Sequence, residues 1–208
     1  MTVPPRHSLE VERKYDVDDE TALVDWTALP SVASVDAPEP RELDARYLDT
    51  ADGALGRALV ALRRRTGGPD AGWHVKRATP EGKLETWWPL GDESDASTVP
   101  SEIVAVLAEV STDPFAPIAR IRNRRTAYAL RDADGGLIAE FVDDRVTATD
   151  ERTARTSAWR EWEFELGPAA PTDAEGVASL FDAADALVAA AGGRVAASGS
   201  KLARALGV

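Results

Sequence analysis

Glu10, Glu12 and Lys14 follow one another at intervals of two residues, as do Glu161, Glu163 and Glu165. Residues two apart in a β-strand share a face. Each set therefore presents its charges together, while Leu9, Val11 and Tyr15, or Trp162, Phe164 and Leu166, face the other way. Arg63 with Arg65, His74 with Lys76, and Arg122 with Arg124 repeat the spacing. Grouped carboxylates are the oxygen ligands that a hard cation such as Mg2+ or Mn2+ prefers. Arginine offers phosphate a forked set of donors and lysine a compact charge. Both kinds of charge converging on one cavity describe a site for a metal ion and a polyphosphate. The plain alternative is an antiparallel sheet with a wet outer face. Three glutamates in a row repel one another, however, and an exposed face normally mixes in Thr, Ser or Lys.

Composition narrows the partners. The 208 residues are 44% hydrophobic and 29% charged, with a formal net charge of −12 at pH 7. That balance is globular rather than disordered. An acidic surface repels nucleic acid and anionic membranes, so neither is expected as a partner. Arg63, Arg64 and Arg65 nevertheless form one knot, and Arg120, Arg122, Arg124 and Arg125 another, which marks a local site for a compact anion. With no cysteine there is no disulfide framework, thiolate ligand or cysteine nucleophile. No apolar run approaches the ~20 residues that span a bilayer. Residues 1–8 lack the layout of a secretory signal, so the cytoplasm is the expected compartment.

The elements that must position these charges are mostly short strands. Alternation predicts strands over 9–15, 43–49, 60–66, 72–78, 83–90, 118–131, 137–149 and 159–166. Gly67-Gly68-Pro69-Asp70 and Asp132-Ala133-Asp134-Gly135-Gly136 supply hairpin turns. Helices are expected over 18–29, 100–110, 173–191 and 200–206, the third ended by Gly192-Gly193. With no repeat and no linker, residues 1–208 read as a single domain. Many antiparallel strands at this spacing favour a barrel or a sandwich. If the helices cover the apolar faces, the charges turn inward and a barrel gains a polar interior. Such an interior is costly unless its charges are paired or ligated.

Glu10-Val11-Glu12-Arg13-Lys14 resembles the N-terminal Glu-x-Glu-x-Lys signature of the CYTH proteins, the triphosphate tunnel metalloenzymes. The resemblance continues in order along nearly the whole chain. Tyr47-Leu48-Asp49-Thr50 is similar to the family's Tyr-x-Asp-Thr, and Leu62-Arg63-Arg64-Arg65 to its Leu-Arg-x-Arg. Trp73-His74-Val75-Lys76 resembles the strand ending in a phosphate-binding lysine, and Glu85 falls where the family places a carboxylate. Arg122-Asn123-Arg124, Asp144-Arg145-Val146, Glu161-Trp162-Glu163 and Ser200-Lys201 resemble the remaining segments. The resemblance implies an α+β, mainly antiparallel fold: a closed eight-stranded β-barrel, the triphosphate tunnel, with helices packed outside. It implies that Lys14, Arg63, Arg65, Lys76, Arg122, Arg124 and Lys201 hold phosphate. Glu10, Glu12, Glu161 and Glu163 are implied as ligands of Mg2+ or Mn2+, with Glu85 and Asp144 as further acidic members. Arg125 replaces Arg124 if the strand carries a bulge, and Glu163 with Glu165 is the other register for the second glutamate pair.

The activity implied is metal-dependent hydrolysis of a triphosphate, with inorganic triphosphate favoured because no nucleobase or thiazolium pocket is recognisable. Thiamine triphosphatase, class IV adenylyl cyclase and a non-catalytic polyphosphate-binding module use nearly the same residues. In many bacterial proteins such a domain precedes a CHAD domain, and residues 198–208 resemble the stretch before that junction. His7 and His74 are expected to play no part as nucleophile or base. Asp49 is expected to fix a turn, and Trp87 and Trp88 to pack.

Overall fold

The first charged strand forms in two pieces, β1 (Arg6–Glu10) and β2 (Glu12–Val17), with Val11 between them. A computed structural model describes residues 4–91 and 98–208; residues 1–3, part of the stretch read for a signal, lie outside the described residues. After β2 come β3 (Ser34–Val35), β4 (Glu39–Asp49), the short helix α1 (Ala54–Arg57), β5 (Val60–Thr66), β6 (Gly72–Thr79) and β7 (Gly82–Trp88). Helix α2 (Ser101–Leu107) leads to the long strands β8 (Ala116–Arg131), β9 (Leu137–Asp150) and β10 (Thr156–Leu166). Helix α3 (Ala174–Ala190), β11 (Arg194–Val195) and helix α4 (Lys201–Leu206) complete the order.

All the strands join one antiparallel sheet in the order β1-β7-β6-β5-β4-β8-β9-β10-β2-β11, with β3 on β8. The path begins on β1 and returns to β2, one residue further along the chain, and the sheet curls into a half-barrel. Counting β1 and β2 as one strand broken at Val11, eight strands make the wall, and β3 and β11 are two-residue additions. Gly82 lets β7 lie against β1, because a Cβ there would collide with the Glu10 carbonyl.

The buried apolar residues of the strands gather in three places. Tyr15, Phe141, Trp162 and Phe164 pack outward under Leu180, Phe181, Ala184 and Val188 of α3. These four recur on one side of α3, whose first turn is capped by Asp173 accepting from Gly176 N at 2.8 Å. Leu62, Trp73, Val75 and Trp88 pack outward under Ile103 and Leu107 of α2. The third cluster, Ala45, Tyr47, Ile121, Val146 and Ala148, has α4 against it through Leu202, Ala205 and Leu206. Ala45, Tyr47 and Ile121 belong to the inner face, so α4 fills part of the curl while α2 and α3 cover its outside.

The helix expected over 18–29 is reduced to a single 3-10 turn, Trp26–Ala28. Arg160 Nη1 donates to the carbonyls of Asp18, Asp19 and Thr21 at 3.1, 3.0 and 2.7 Å, which takes acceptors a helix would need. Trp26 then docks on Phe141 and Phe164, with ring centroids 4.8 and 5.2 Å apart, beside Leu29 and Val32. Among the described residues no helix is long and apolar enough to cross a membrane.

Candidate functional site

The charged faces meet in a cavity of about 740 Å³ inside the curl. Glu10, Glu12, Lys14, Arg63, Arg65, Lys76, Glu85, Glu163 and Lys201 all line it. Cross-strand pairing explains the assembly. Glu163 lies opposite Lys14, Glu165 opposite Glu12, and Lys76 opposite Glu85, so inward residues of neighbouring strands stand side by side.

On the acidic side, Lys76 Nζ reaches both oxygens of Glu10 at 2.6 and 2.5 Å and Glu85 Oε2 at 3.1 Å. Lys14 bridges Glu12, at 3.0 Å, and Glu163. Arg125 donates Nε and Nη2 to the two oxygens of Asp144 at 2.8 and 2.7 Å, and Nη2 to Glu163 Oε2 at 2.6 Å. Lys201 Nζ lies 2.9 Å from Asp144 Oδ2, 2.6 Å from Glu163 Oε1 and 2.5 Å from Glu161 Oε1, the last an ion pair without hydrogen-bond geometry. Asp144, Glu161 and Glu163 each offer an oxygen within 4.8 Å of the others. Asp144 and Glu161 are buried and absent from the cavity wall, so they contact Lys201 from behind it.

Glu12 and Glu163 stay ionised despite burial. For Glu12, burial is the largest influence and works to raise the pKa, but Lys14, Lys83 and Lys76 outweigh it and bring it down to about 2. Burial likewise opposes ionisation of Glu163, and Lys14, Lys201 and Arg125 together hold it well below the usual carboxylate range. Glu165 has only Lys76 for such company, and that lysine is outweighed. Burial, then Glu10 and Glu12, push Glu165 up to about 7.

The basic side is less well satisfied. Arg63 has only long contacts, 3.5 Å to Tyr47 OH and 3.5 Å to Glu85 Oε2, and its Nε is buried without a partner. Arg65 pairs with Asp70 but its Nε is also unpartnered. Burial, with Arg63 and Arg125 close by, pushes Arg65 down to about 9. Buried guanidinium donors left unused cost free energy that a multiply charged anion would recover. His74 is fully buried, donates Nε2 to the Asp70 carbonyl at 3.1 Å and is pushed by burial and Arg63 down to about 3, so it is neutral.

Strand β8 differs from expectation. Its inward residues are Ile121, Asn123 and Arg125, whereas Arg122 and Arg124 are exposed on the outer face. No bulge causes this: pairing with β9 runs without a shift from Ala119 to Leu130. Alternation simply fixes the opposite parity, with Arg125 anchored on Asp144 and Ile121 buried in the inner cluster. Both glutamate registers are populated, since Glu163 and Glu165 face the cavity and Glu161 sits behind.

Three lining residues escaped the sequence reading. Lys83 Nζ reaches Glu12 Oε1 and the Gly199 carbonyl, each at 2.8 Å. Arg41 grips Glu140 with two bonds of 3.0 Å. Asn123 points in with its Oδ1 unpartnered. Lys83 is two residues from Glu85, and Arg41 shares the parity of Leu43, Ala45 and Tyr47, so the same spacing rule reaches both. Asp49 is buried and accepts from the backbone N–H of Thr50, Leu55 and Gly56, which fixes the turn into α1.

The CYTH domain profile matches residues 8–178. An uncharacterized protein of Mycobacterium tuberculosis, found in two strains, is 40% identical over 216 residues, covering 98% of this chain and 41% of its own length. The chain thus spans about two fifths of the curated relatives it matches. Among solved structures, a Bacillus halodurans protein assigned as an adenylate cyclase has a TM-score of 0.65 at 19% identity, covering 95% of this chain and 97% of that one. A Hippeastrum protein assigned as an adenylyl cyclase, and described as having a dominant triphosphatase activity, has a TM-score of 0.57 at 19% identity, covering 96% of each chain. At that identity the likeness is one of fold.

Proposed function

The chain belongs to the CYTH domain family, and from that premise we propose that it hydrolyses a triphosphate, inorganic triphosphate foremost, with a divalent cation. The observation that carries this reading is the pairing, in and just behind one cavity, of buried arginines with unused donors and a compact group of carboxylates. An anion binder needs only the first.

Arg63, Arg65 and Arg125 would hold phosphate oxygens through forked donors. Lys14, Lys76 and Lys201 would offset the charge that develops on those oxygens during transfer. Arg122 and Arg124, on the outer face, take no part. The donor set fits a hard cation: Asp144, Glu161 and Glu163 would hold it, and Glu10 and Glu12 face the same cavity. When bound, such a cation lowers the pKa of water and neutralises phosphate charge. The residues themselves exclude bulk water, orient the chain of phosphates and keep Glu12 and Glu163 ionised.

One observation favours a second reading, a triphosphate carrying an organic group. Leu43, Ile121, Leu202 and Leu206 give part of the cavity an apolar wall. Phosphate release from inorganic triphosphate, ATP and thiamine triphosphate, with Mg2+, with Mn2+ or with neither, decides between them. The expected outcome is cation-dependent release that is fastest from inorganic triphosphate and lost in Glu12→Ala. Faster release from thiamine triphosphate supports the second reading. Cyclic AMP from ATP identifies a cyclase, and tight binding without release from any substrate identifies a binding module.

A further inference from the structure

The three carboxylates best arranged for a divalent cation already surround a cation of the protein's own. The ammonium of Lys201 lies 2.9, 2.5 and 2.6 Å from oxygens of Asp144, Glu161 and Glu163. Only 12% of the Lys201 side chain is exposed there, with all three carboxylates against its ammonium. Lys201 is also the first residue of α4. Ser200 caps that helix by accepting from Ala203 N at 3.3 Å, Gly207 ends it, and Leu202, Ala205 and Leu206 rest on the inner apolar wall. The ammonium is therefore delivered by an anchored element at high local concentration rather than by chance encounter.

We propose that Lys201 is a tethered competitor for the divalent cation: its ammonium fills the cation's seat in the cation-free protein and must leave when the cation binds. The inference rests on the metal half of the proposed function and adds two consequences. The cation binds more weakly than the three carboxylates alone would allow, because it must displace a partner already in place. The displaced ammonium, still held at the cavity wall by α4, becomes available to phosphate oxygens, so cation and triphosphate each promote the binding of the other.

The test is Mn2+ affinity without triphosphate, read from the electron paramagnetic resonance signal of free Mn2+, for the wild type, Lys201→Ala and Lys201→Met. Met keeps the length and apolar stem of lysine, which guards against loss of α4 packing in the Ala variant. The expected result is Mn2+ binding about tenfold tighter in both variants, with triphosphate binding in saturating Mn2+ weakened. A residue that only supported the fold would weaken both. Equal or weaker Mn2+ binding in Lys201→Met overturns the proposal while leaving the metal site intact. Absence of Mn2+ binding in wild type and variants alike removes the metal site, and the proposal with it.

Discussion

Glu163 is held by Lys14, by Lys201 at 2.6 Å and by Arg125 at 2.6 Å, and each of those cations is shared with a second carboxylate. Sharing lets a buried carboxylate remain charged, since one desolvated ion is offset from several sides. Two residues of the inner face, Glu165 on the cavity wall and His74 behind it against Glu85, titrate abnormally, with opposite consequences for stability. His74 has an ordinary value of 6.5 and a folded value of about 3. Between these the unfolded chain takes up a proton that the folded one refuses, so stability present above pH 6.5 is lost as pH falls. From pH 7.5 to pH 5 that loss amounts to about 2 kcal/mol. Glu165 moves from 4.5 to about 7, so in its case stability present below pH 4.5 is lost as pH rises toward 7. Urea denaturation in chelator at pH 5 and pH 7.5 separates them. In the wild type the two nearly cancel over this range, so His74→Gln should leave stability rising toward pH 5 and Glu165→Gln should leave it falling. Identical pH dependence in wild type and both variants contradicts the account.

At the scale of elements, alternation along β10 divides labour between a charged inner face and an apolar outer one. In β10, Glu161, Glu163 and Glu165 point inward, while Trp162 and Phe164 pack under α3. Trp162 is fully buried, donates Nε1 to Asp143 Oδ1 at 3.0 Å and meets Phe141 edge-on at 5.5 Å. Trp162→Ala should cost about 3–5 kcal/mol in urea denaturation, and the protein that stays folded should bind triphosphate as before. A loss below about 1 kcal/mol would show that the outer layer does not hold the curl.

The same alternation explains what was legible beforehand. In β2, β5 and β10 the charges recur at one parity, so their inner faces could be read from 10-12-14, 63-65 and 161-163-165, with Arg13, Arg64 and Arg160 as single charges on the other parity. Strand β8 has arginines at both parities, 120, 122 and 124 against 125, and periodicity alone does not choose between them. The choice is made by partners distant in sequence, Asp144 on β9 and Glu163 on β10. The segment 18–29 misled for a similar reason: its helical spacing of Leu23 and Trp26 is real, but Arg160, far along the chain, claims its carbonyls. Residues 200–206 read as a last short helical turn, yet nothing local told that it would lie inside.

On the scale of the whole molecule, a chain of net charge −12 encloses a cluster of arginines. An acidic exterior disfavours polyanions at large, and the enclosed cavity reserves its cations for an anion small enough to enter. Calorimetric titration of inorganic triphosphate in chelator tests this most directly, because it isolates anion binding from any contribution of metal or turnover. Arg63 is the informative inner residue, since its long contacts mean that removing it leaves little unpaired, and exposed Arg124 is the outer control. The account predicts one triphosphate per wild-type chain, affinity weakened about tenfold or more in Arg63→Ala and changed less than roughly twofold in Arg124→Ala. No binding by the wild type, or equal weakening by the two substitutions, would contradict it.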